Sequence, residues 1–251
     1  MSERDSIVFH IPHSSVLIPD EYRRNIKLSD DELRREIAEV TDAYCDELFD
    51  FPFGASVVFG YSRLVCDVER FADDSLEPEA AHGHGMYYAR TQNGAELRDI
   101  LPDERERIER ELYIPHHAAL GNAVDAALER YGKCLIIDCH SFNHDALGNS
   151  PDALPDICVG ADCFHTPQRL ADAAIKECEA CGRGAAVNYP YEGAIVPQSR
   201  YRADARVSSV MIEVNKKMYL APRTMDKTDG FPDARGMALR LVEAVAAAFC
   251  A

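Results

Sequence analysis

The run LIIDCHSFNH, residues 135–144, carries three aliphatic side chains straight into Asp138, Cys139, His140 and Ser141. Imidazole and carboxylate groups at the end of an apolar strand can hold a divalent cation or move a proton, and burying them without such a task is costly. Four other segments share the pattern. FHIPHSS sets His13 behind an apolar run, LVCDVER sets Asp67, Glu69 and Arg70, VNYPYEG sets Tyr191 and Glu192, and VMIEVNK sets Glu213 and Asn215. A single histidine so placed is ordinarily a hydrogen-bonded structural residue. His13 and His140, each behind a strand and each followed by serine, form a pair. Two neutral imidazoles with a carboxylate or third imidazole can hold a catalytic zinc and leave a position for water. Glu213 ends an apolar strand, where a charged carboxylate needs a partner or a role such as general base.

The elements that must carry these groups are legible from periodicity. SIVFHI, closed by Pro12, reads as a buried strand, and residues 28–51 read as one helix opened by a Ser29–Glu32 capping box. ASVVFG and SRLVCDV read as two further strands, and residues 72–100 as a long surface loop holding His82 and His84. Helical spacing returns in PDERERIERELY and AALGNAVDAALERYG, with a break expected at Pro115. KCLIIDC and DICVGA are unalternating apolar runs, as in strands covered on both faces. Residues 165–182 read as a helix with Thr166 as N-cap, Pro167 in the first turn and Gly182 past the end. GAAVNY, VSSVMIEVN and a terminal helix through ALRLVEAVAAAF complete the chain. Strands alternating with helices predict a single α/β domain over residues 1–251, with helices on both faces of a mostly parallel sheet. In such sheets ligands gather beyond the carboxyl ends of the strands.

Composition narrows the partners. A formal charge of -16 on 251 residues repels phosphate backbones and anionic membrane surfaces, so nucleic acid and membrane are excluded as expected partners. The chain has no apolar run near the roughly 20 residues a bilayer requires, and MSERDSIVFH lacks the features of a signal peptide. A cytoplasmic location is expected; oligomeric state is left open. Nine cysteines, an odd number, fit free thiols better than a disulfide framework. Cys158, Cys163, Cys178 and Cys181 could assemble a four-thiolate zinc site, but their irregular spacing favours buried thiols. No nucleophile-elbow motif marks a catalytic serine.

Seven short motifs in order then resemble one family, the N-formylglutamate amidohydrolases, over nearly the whole chain. They are Pro12-His13-Ser14; Thr41-Asp42 with Asp46-Glu47-Leu48; Ser62-Arg63 with Asp67 and Arg70; Pro115, His117 and Leu120; His140-Ser141; Asn188, Pro190, Tyr191 and Gly193; and Glu213, Asn215 and Tyr219. The resemblance implies a three-layer αβα sandwich with a mostly parallel, mixed central sheet, similar to the zinc carboxypeptidases and the aspartoacylase group. It implies one zinc ion held by His13, His140 and an acidic residue, for which Asp42 is the candidate, while Glu213 activates water. Arg63 and Arg70 would contact the developing oxyanion or a substrate carboxylate. Arg200 and Arg202, whose guanidinium forks suit carboxylates, would orient the distal carboxylate, and His117, Asn188 and Tyr191 would line the substrate site.

The implied substrate is a small N-acylated amino acid or related carboxylate. The alternatives are a carboxypeptidase-like or deacylase activity on a peptide or other conjugate, and a non-catalytic binding protein on the same scaffold. The chain departs from the family at Glu69, where asparagine stands, at Glu192, where lysine is frequent, and at Lys216, where arginine is frequent. The extra negative charge at Glu69 bears directly on how an anionic substrate could be accommodated.

Overall fold

A computed structural model describes residues 3–143 and 154–251; His144, another candidate polar group near the site, lies outside the described residues. Six strands form one sheet: β1 (Ile7–Ile11), β2 (Ala55–Val58), β3 (Cys134–Phe142), β4 (Ile157–Gly160), β5 (Ala185–Val187) and β6 (Val207–Asn215), in the order β2-β1-β3-β6-β4-β5. β2, β1, β3 and β6 run parallel, whereas β4 is antiparallel to β6 and carries β5 with it. The expected mixed α/β sheet is therefore present.

Side chains alternate across the sheet, and this parity sorts core from chemistry. Ile7, Phe9 and Ile11 of β1, Leu135, Ile137 and Cys139 of β3, and Val210, Ile212 and Val214 of β6 face one layer. There they meet Leu170 and Ala174 of α6 (Gln168–Ala180) and Leu241, Val242 and Val245 of the terminal helix Phe231–Cys250. On the other face, Val8, Ile136 and Val207 pack against Leu120, Val124 and Leu128 of α5 (Ile114–Tyr131). Beyond them on that face the parity brings up His10, Asp138, His140 and Glu213 in place of aliphatics.

Five expected features differ from the sequence reading. Residues 28–51 are not one helix: α2 (Asp30–Val40) ends at Thr41, and a separate turn of helix, α3 (Cys45–Leu48), follows Tyr44, whose φ is 65°. The interruption is tied to the sheet, because the Asp42 N–H donates to His13 O at 3.0 Å. The capping box is present, with Ser29 accepting from the Glu32 N–H and the Glu32 carboxylate accepting from the Ser29 N–H. Ser29→Ala is expected to lower stability by about 1 kcal/mol, read by chemical denaturation, with no change at the site.

SRLVCDV is not a strand. Its backbone turns repeatedly, with Val65 N–H donating to Ser62 O at 2.8 Å and Arg70 N–H to Asp67 O at 3.3 Å. It is apolar because Leu64 fills one small core while Val65, Cys66 and Val68 fill another. Residues 72–100 are likewise no simple surface loop, since Met86, Tyr88, Leu97 and Arg98 are buried in those same cores or against them. Pro115 does not break its helix: α4 (Pro102–Ile108) runs through one π turn, Glu109–Tyr113, into α5, and the wider turn just ahead of the proline accommodates its missing N–H. Thr166 does not cap α6 either; its hydroxyl accepts from Asp162 N–H and donates to Ser209 O, and Pro167 occupies the cap position.

Candidate active site

The parallel register of β1, β3 and β6 pairs His10 with Asp138 and His140 with Glu213. These pairs lie side by side at the carboxyl half of the α5-facing surface, past the point where Val8 and Ile136 have filled the contact with α5. Two neighbouring segments close over them. The break after α2 delivers Asp42, and the turns of residues 62–70 deliver Arg63, Asp67, Glu69 and Arg70.

The two histidines singled out by sequence do meet, with ring centroids 5.2 Å apart. The carboxylate that converges with them is that of Glu69. Among the described residues, one ligand atom each from His13, Glu69 and His140 lies within 4.8 Å of the other two, and a second, overlapping trio is His10, Glu69 and Asp138. Asp42 belongs to neither. Its Oδ2 accepts from His140 Nδ1 at 2.9 Å and stands 3.6 Å from His13 Nδ1. Burial alone would raise the Asp42 carboxyl, but the two imidazoles outweigh it and hold the group ionised well below the usual carboxylate range. Asp42 thus fixes the tautomer of His140 and directs Nε2 to the other side, where Glu69 Oε2 lies at 3.1 Å and Asp138 Oδ1 at 3.2 Å. Burial lowers the His140 imidazole, yet Glu69 and Asp138 raise it well above the ordinary value. Such a crowd of carboxylates around one ring nitrogen demands a cation there, either a proton or a metal ion.

Glu213 is a further buried carboxyl group. Only 6% of it is exposed, and among the described residues its Oε2 has no hydrogen-bond partner. Burial pushes its carboxyl up to about 8; His140 opposes that, and Asp42, Glu69 and Asp138 reinforce it.

Asp67 is saturated. It accepts from His13 Nε2 at 2.9 Å, from the Glu69 N–H at 3.1 Å, from Arg63 Nη2 at 2.7 Å and from the Tyr88 hydroxyl at 3.0 Å. Arg63 is therefore committed to Asp67, whereas Arg70, 3.9 Å away, keeps a buried Nε with no hydrogen-bond partner. His117 braces the same turns: its Nε2 donates to Val68 O at 2.8 Å, which directs the ring at the backbone just before Glu69 and away from a ligand. Tyr191 stands at the rim, its ring 6.1 Å from Phe142, and burial followed by the charges of Glu213 and Asp42 pushes its hydroxyl up to about 12.

Three residues expected at the site lie elsewhere: Asn188 follows β5, which with β4 runs against β6 and ends at the opposite edge, and Arg200 and Arg202 come just before the start of β6 at that same edge. Asn188 spends its amide on Ala161, accepting from N–H at 2.7 Å and donating to O at 3.1 Å. Arg200 is paired with Asp125 at 2.8 Å and Asp204 at 3.1 Å. The Arg202 N–H donates to His165 Nε2, whose Nδ1 donates to Val207 O. Val207 opens β6 and Glu213 comes six residues later, about 20 Å along the strand.

His10 and Glu69 are the residues that sequence reasoning did not assign. His10 Nδ1 donates to Asp138 Oδ1 at 2.8 Å and its Nε2 lies 2.9 Å from His116 Nε2. Burial, then the neighbouring imidazoles, drives His116 down to about 3, so that ring is neutral. The nine cysteines are free and, among the described residues, take no part in a ligand cluster. His84 lies against Thr91 O and His82 is exposed, so neither reaches the site.

The layered sheet with a polar cluster at its carboxyl edge defines an α/β enzyme scaffold. A family model for N-formylglutamate amidohydrolase matches residues 5–220, and the chain belongs to that family. It is 27% identical over 237 residues to an N-formylglutamate deformylase of Pseudomonas putida, spanning 90% of this chain and 84% of that one. An N-formylglutamate amidohydrolase from Ralstonia eutropha superposes with a TM-score of 0.85 at 22% identity, covering 97% and 94% of the two chains. A gene product of Agrobacterium tumefaciens superposes with a TM-score of 0.71 at 21% identity, covering 97% and 92%. These two likenesses concern the fold. No described helix is long and apolar enough to cross a membrane.

Proposed function

We propose that this protein is a zinc-dependent amidohydrolase that removes the acyl group from a small N-acylated amino acid, with N-formyl-L-glutamate as first substrate. The carrying observation is the convergence of His13, Glu69 and His140 beside a buried, incompletely hydrogen-bonded Glu213. Family membership and the Pseudomonas putida relative's name support the substrate.

The donor set fits a zinc ion. Two imidazoles and one carboxylate are a catalytic zinc set, and atoms sharing one ion lie within about 4.2 Å of one another, so small side-chain rotations close the observed cluster. Among the described residues, His13 Nδ1 in that cluster and Glu213 Oε2 beside it are buried without hydrogen-bond partners, as expected of groups whose partner is not a protein atom. His13, Glu69 and His140 would hold the ion, and Asp42 would orient His140, as carboxylates commonly do for ligating histidines. Bound there, zinc would polarise the acyl carbonyl and bring the pKa of water towards about 7.

Glu213 takes a proton from water and returns it to the leaving nitrogen. Its environment places it near the pH at which a group can do both. Arg70, whose Nε is uncommitted, donates to the oxygen that gains charge as the carbonyl is attacked. Arg63 holds Asp67, and through it the ring of His13.

The test combines elemental analysis with formate release from N-formyl-L-glutamate. The purified protein is expected to hold about one zinc equivalent, to lose formate release on chelation and to regain it with zinc. A protein that takes up no metal after zinc-replete expression, or releases no formate, overturns this reading and favours a binding protein on the same scaffold.

A further inference from the structure

Once Arg200 and Arg202 are placed at the far edge of the sheet, the cation that would receive a substrate's distal carboxylate has to come from elsewhere. Lys216 follows β6 directly, three residues past Glu213, and is only 7% exposed. Its ammonium donates to Asn143 Oδ1 at 2.9 Å and, among the described residues, has no carboxylate within ion-pair distance. A buried ammonium carries three donors, and leaving it with one neutral acceptor is costly. Burial lowers its pKa, while Asp42, Cys45, Glu39 and Glu213 raise it from farther off. Its position thus adjoins the candidate active site without being neutralised by it.

Lys216 also lines a cavity of about 380 Å³ enclosed by Ala38 of α2, Asn143 after β3 and the turns that follow β6. Lys217, Arg223, Thr224 and Thr228 contribute further to its wall, and among the described residues no aspartate or glutamate does. Lys217 is already paired with Asp156 at 3.1 Å, which leaves Lys216 as the buried cation. The rest of the wall, Ala38, Leu220, Ala221 and Pro222, is apolar, so among the described residues its polar groups are cations, hydroxyls and an amide, which in a chain of formal charge -16 suits a small anion. The spacing is also compatible: in an N-acyl glutamate the side-chain carboxyl carbon lies about 6 Å from the acyl carbon, five bonds of roughly 1.5 Å away in zigzag. Lys216 is three residues, about 10 Å, beyond Glu213 along the chain, and a lysine side chain can cover the difference.

We propose that Lys216 is the specificity-determining cation of this enzyme, receiving the distal carboxylate of a dicarboxylic N-acyl amino acid within this cavity. The proposal rests on the amidohydrolase reading above for its turnover test but not for its binding test. Asn143, whose amide donates to Glu39 Oε1 at 3.0 Å, then positions the ammonium, and among the described residues no carboxylate forms an ion pair with it.

The experiment compares wild-type zinc-loaded protein with Lys216→Met and Lys216→Arg, using N-formyl-L-glutamate and N-formyl-L-glutamine as substrates and the free amino acids as calorimetric ligands. Wild type is expected to prefer the glutamate derivative in kcat/KM. Lys216→Met is expected to reduce that preference roughly 10- to 100-fold, chiefly through KM, and to weaken L-glutamate binding by the same factor; Lys216→Arg should restore part of both. Zinc content and a cooperative thermal transition in Lys216→Met establish that it folds. If Lys216→Met keeps the wild-type preference and L-glutamate affinity, the proposal is overturned while the amidohydrolase assignment stands. If L-glutamate binding depends on Lys216 but no formyl substrate is cleaved, the proposal stands and the amidohydrolase assignment fails.

Discussion

Replacing Glu213 with glutamine is expected to lower kcat about 10²- to 10⁴-fold while leaving the zinc content unchanged. The glutamine keeps the shape of the side chain and its place opposite His140 on β6, but it cannot accept a proton from water. Metal should be retained because neither trio of converging ligand atoms includes Glu213. A second readout separates this role from a structural one. In the metal-free fold, burial raises the Glu213 carboxyl from 4.5 to about 8, whereas the unfolded chain releases that proton near its ordinary value. Between those limits the folded state holds the extra proton, so this group makes stability fall as pH rises through the window. Metal-free Glu213→Gln, which has no proton to lose, is therefore expected to melt higher than metal-free wild type above pH 8. Loss of zinc in the variant would make Glu213 a ligand; kcat within tenfold of wild type would move the proton transfer to another group.

The sheet was readable because its strands are short apolar runs bounded by turns, and because a capping box announces the start of α2. The errors have a common physical cause. SRLVCDV has the composition of a buried strand, but its apolar side chains divide between two small cores, a distribution that no periodicity distinguishes from strand burial. The end of α2 is set by a tertiary contact, the Asp42 N–H to His13 O, and nothing in the helical spacing of Tyr44 and Leu48 signals it. The reversed direction of β4 is also invisible in DICVGA, yet with β5 parallel to it, it decides where Asn188 comes to lie, whereas Arg200 and Arg202 are placed by their position just before β6.

His13 and His140 were legible as a pair because apolar runs end in them, and Glu213 for the same reason. Parity within β3 held more information than its reading as an unalternating run allowed. From Asp138 onward, every second residue faces α5's side of the sheet, so Asp138 and His140 share that face with His10 of β1. His10 itself stood in the sequence between Phe9 and Ile11, on the opposite parity, which is a usable signal for a histidine aimed away from the main core. From the sequence Glu69 reads only as an added negative charge in the path of an anionic substrate. The same charge is tolerable, and useful, if a cation sits against it, and three-dimensional proximity to His140 supplies that reason.

Glu69 and Asp42 consequently exchange expected importance. Glu69→Gln is expected to weaken zinc binding by more than the roughly 10- to 100-fold that accompanies loss of a group orienting a ligand, and Asp42→Asn to fall within that range. The physical difference is what each carboxylate touches: Glu69 Oε2 lies 3.1 Å from His140 Nε2 and converges with His13, whereas Asp42 meets His140 at Nδ1, the nitrogen turned the other way. Competition against a chromophoric chelator measures both affinities. Melting the metal-free proteins tests the same distinction without activity: Glu69→Gln removes a carboxylate crowded beside Asp138 and His140 and should cost little stability, while Asp42→Asn replaces a charge-assisted bond to a buried imidazole N–H by a neutral one and should cost on the order of 1 kcal/mol. Were Asp42→Asn to lose zinc more completely than Glu69→Gln, the third ligand would be Asp42, and Glu69 would be a charge that steers the substrate.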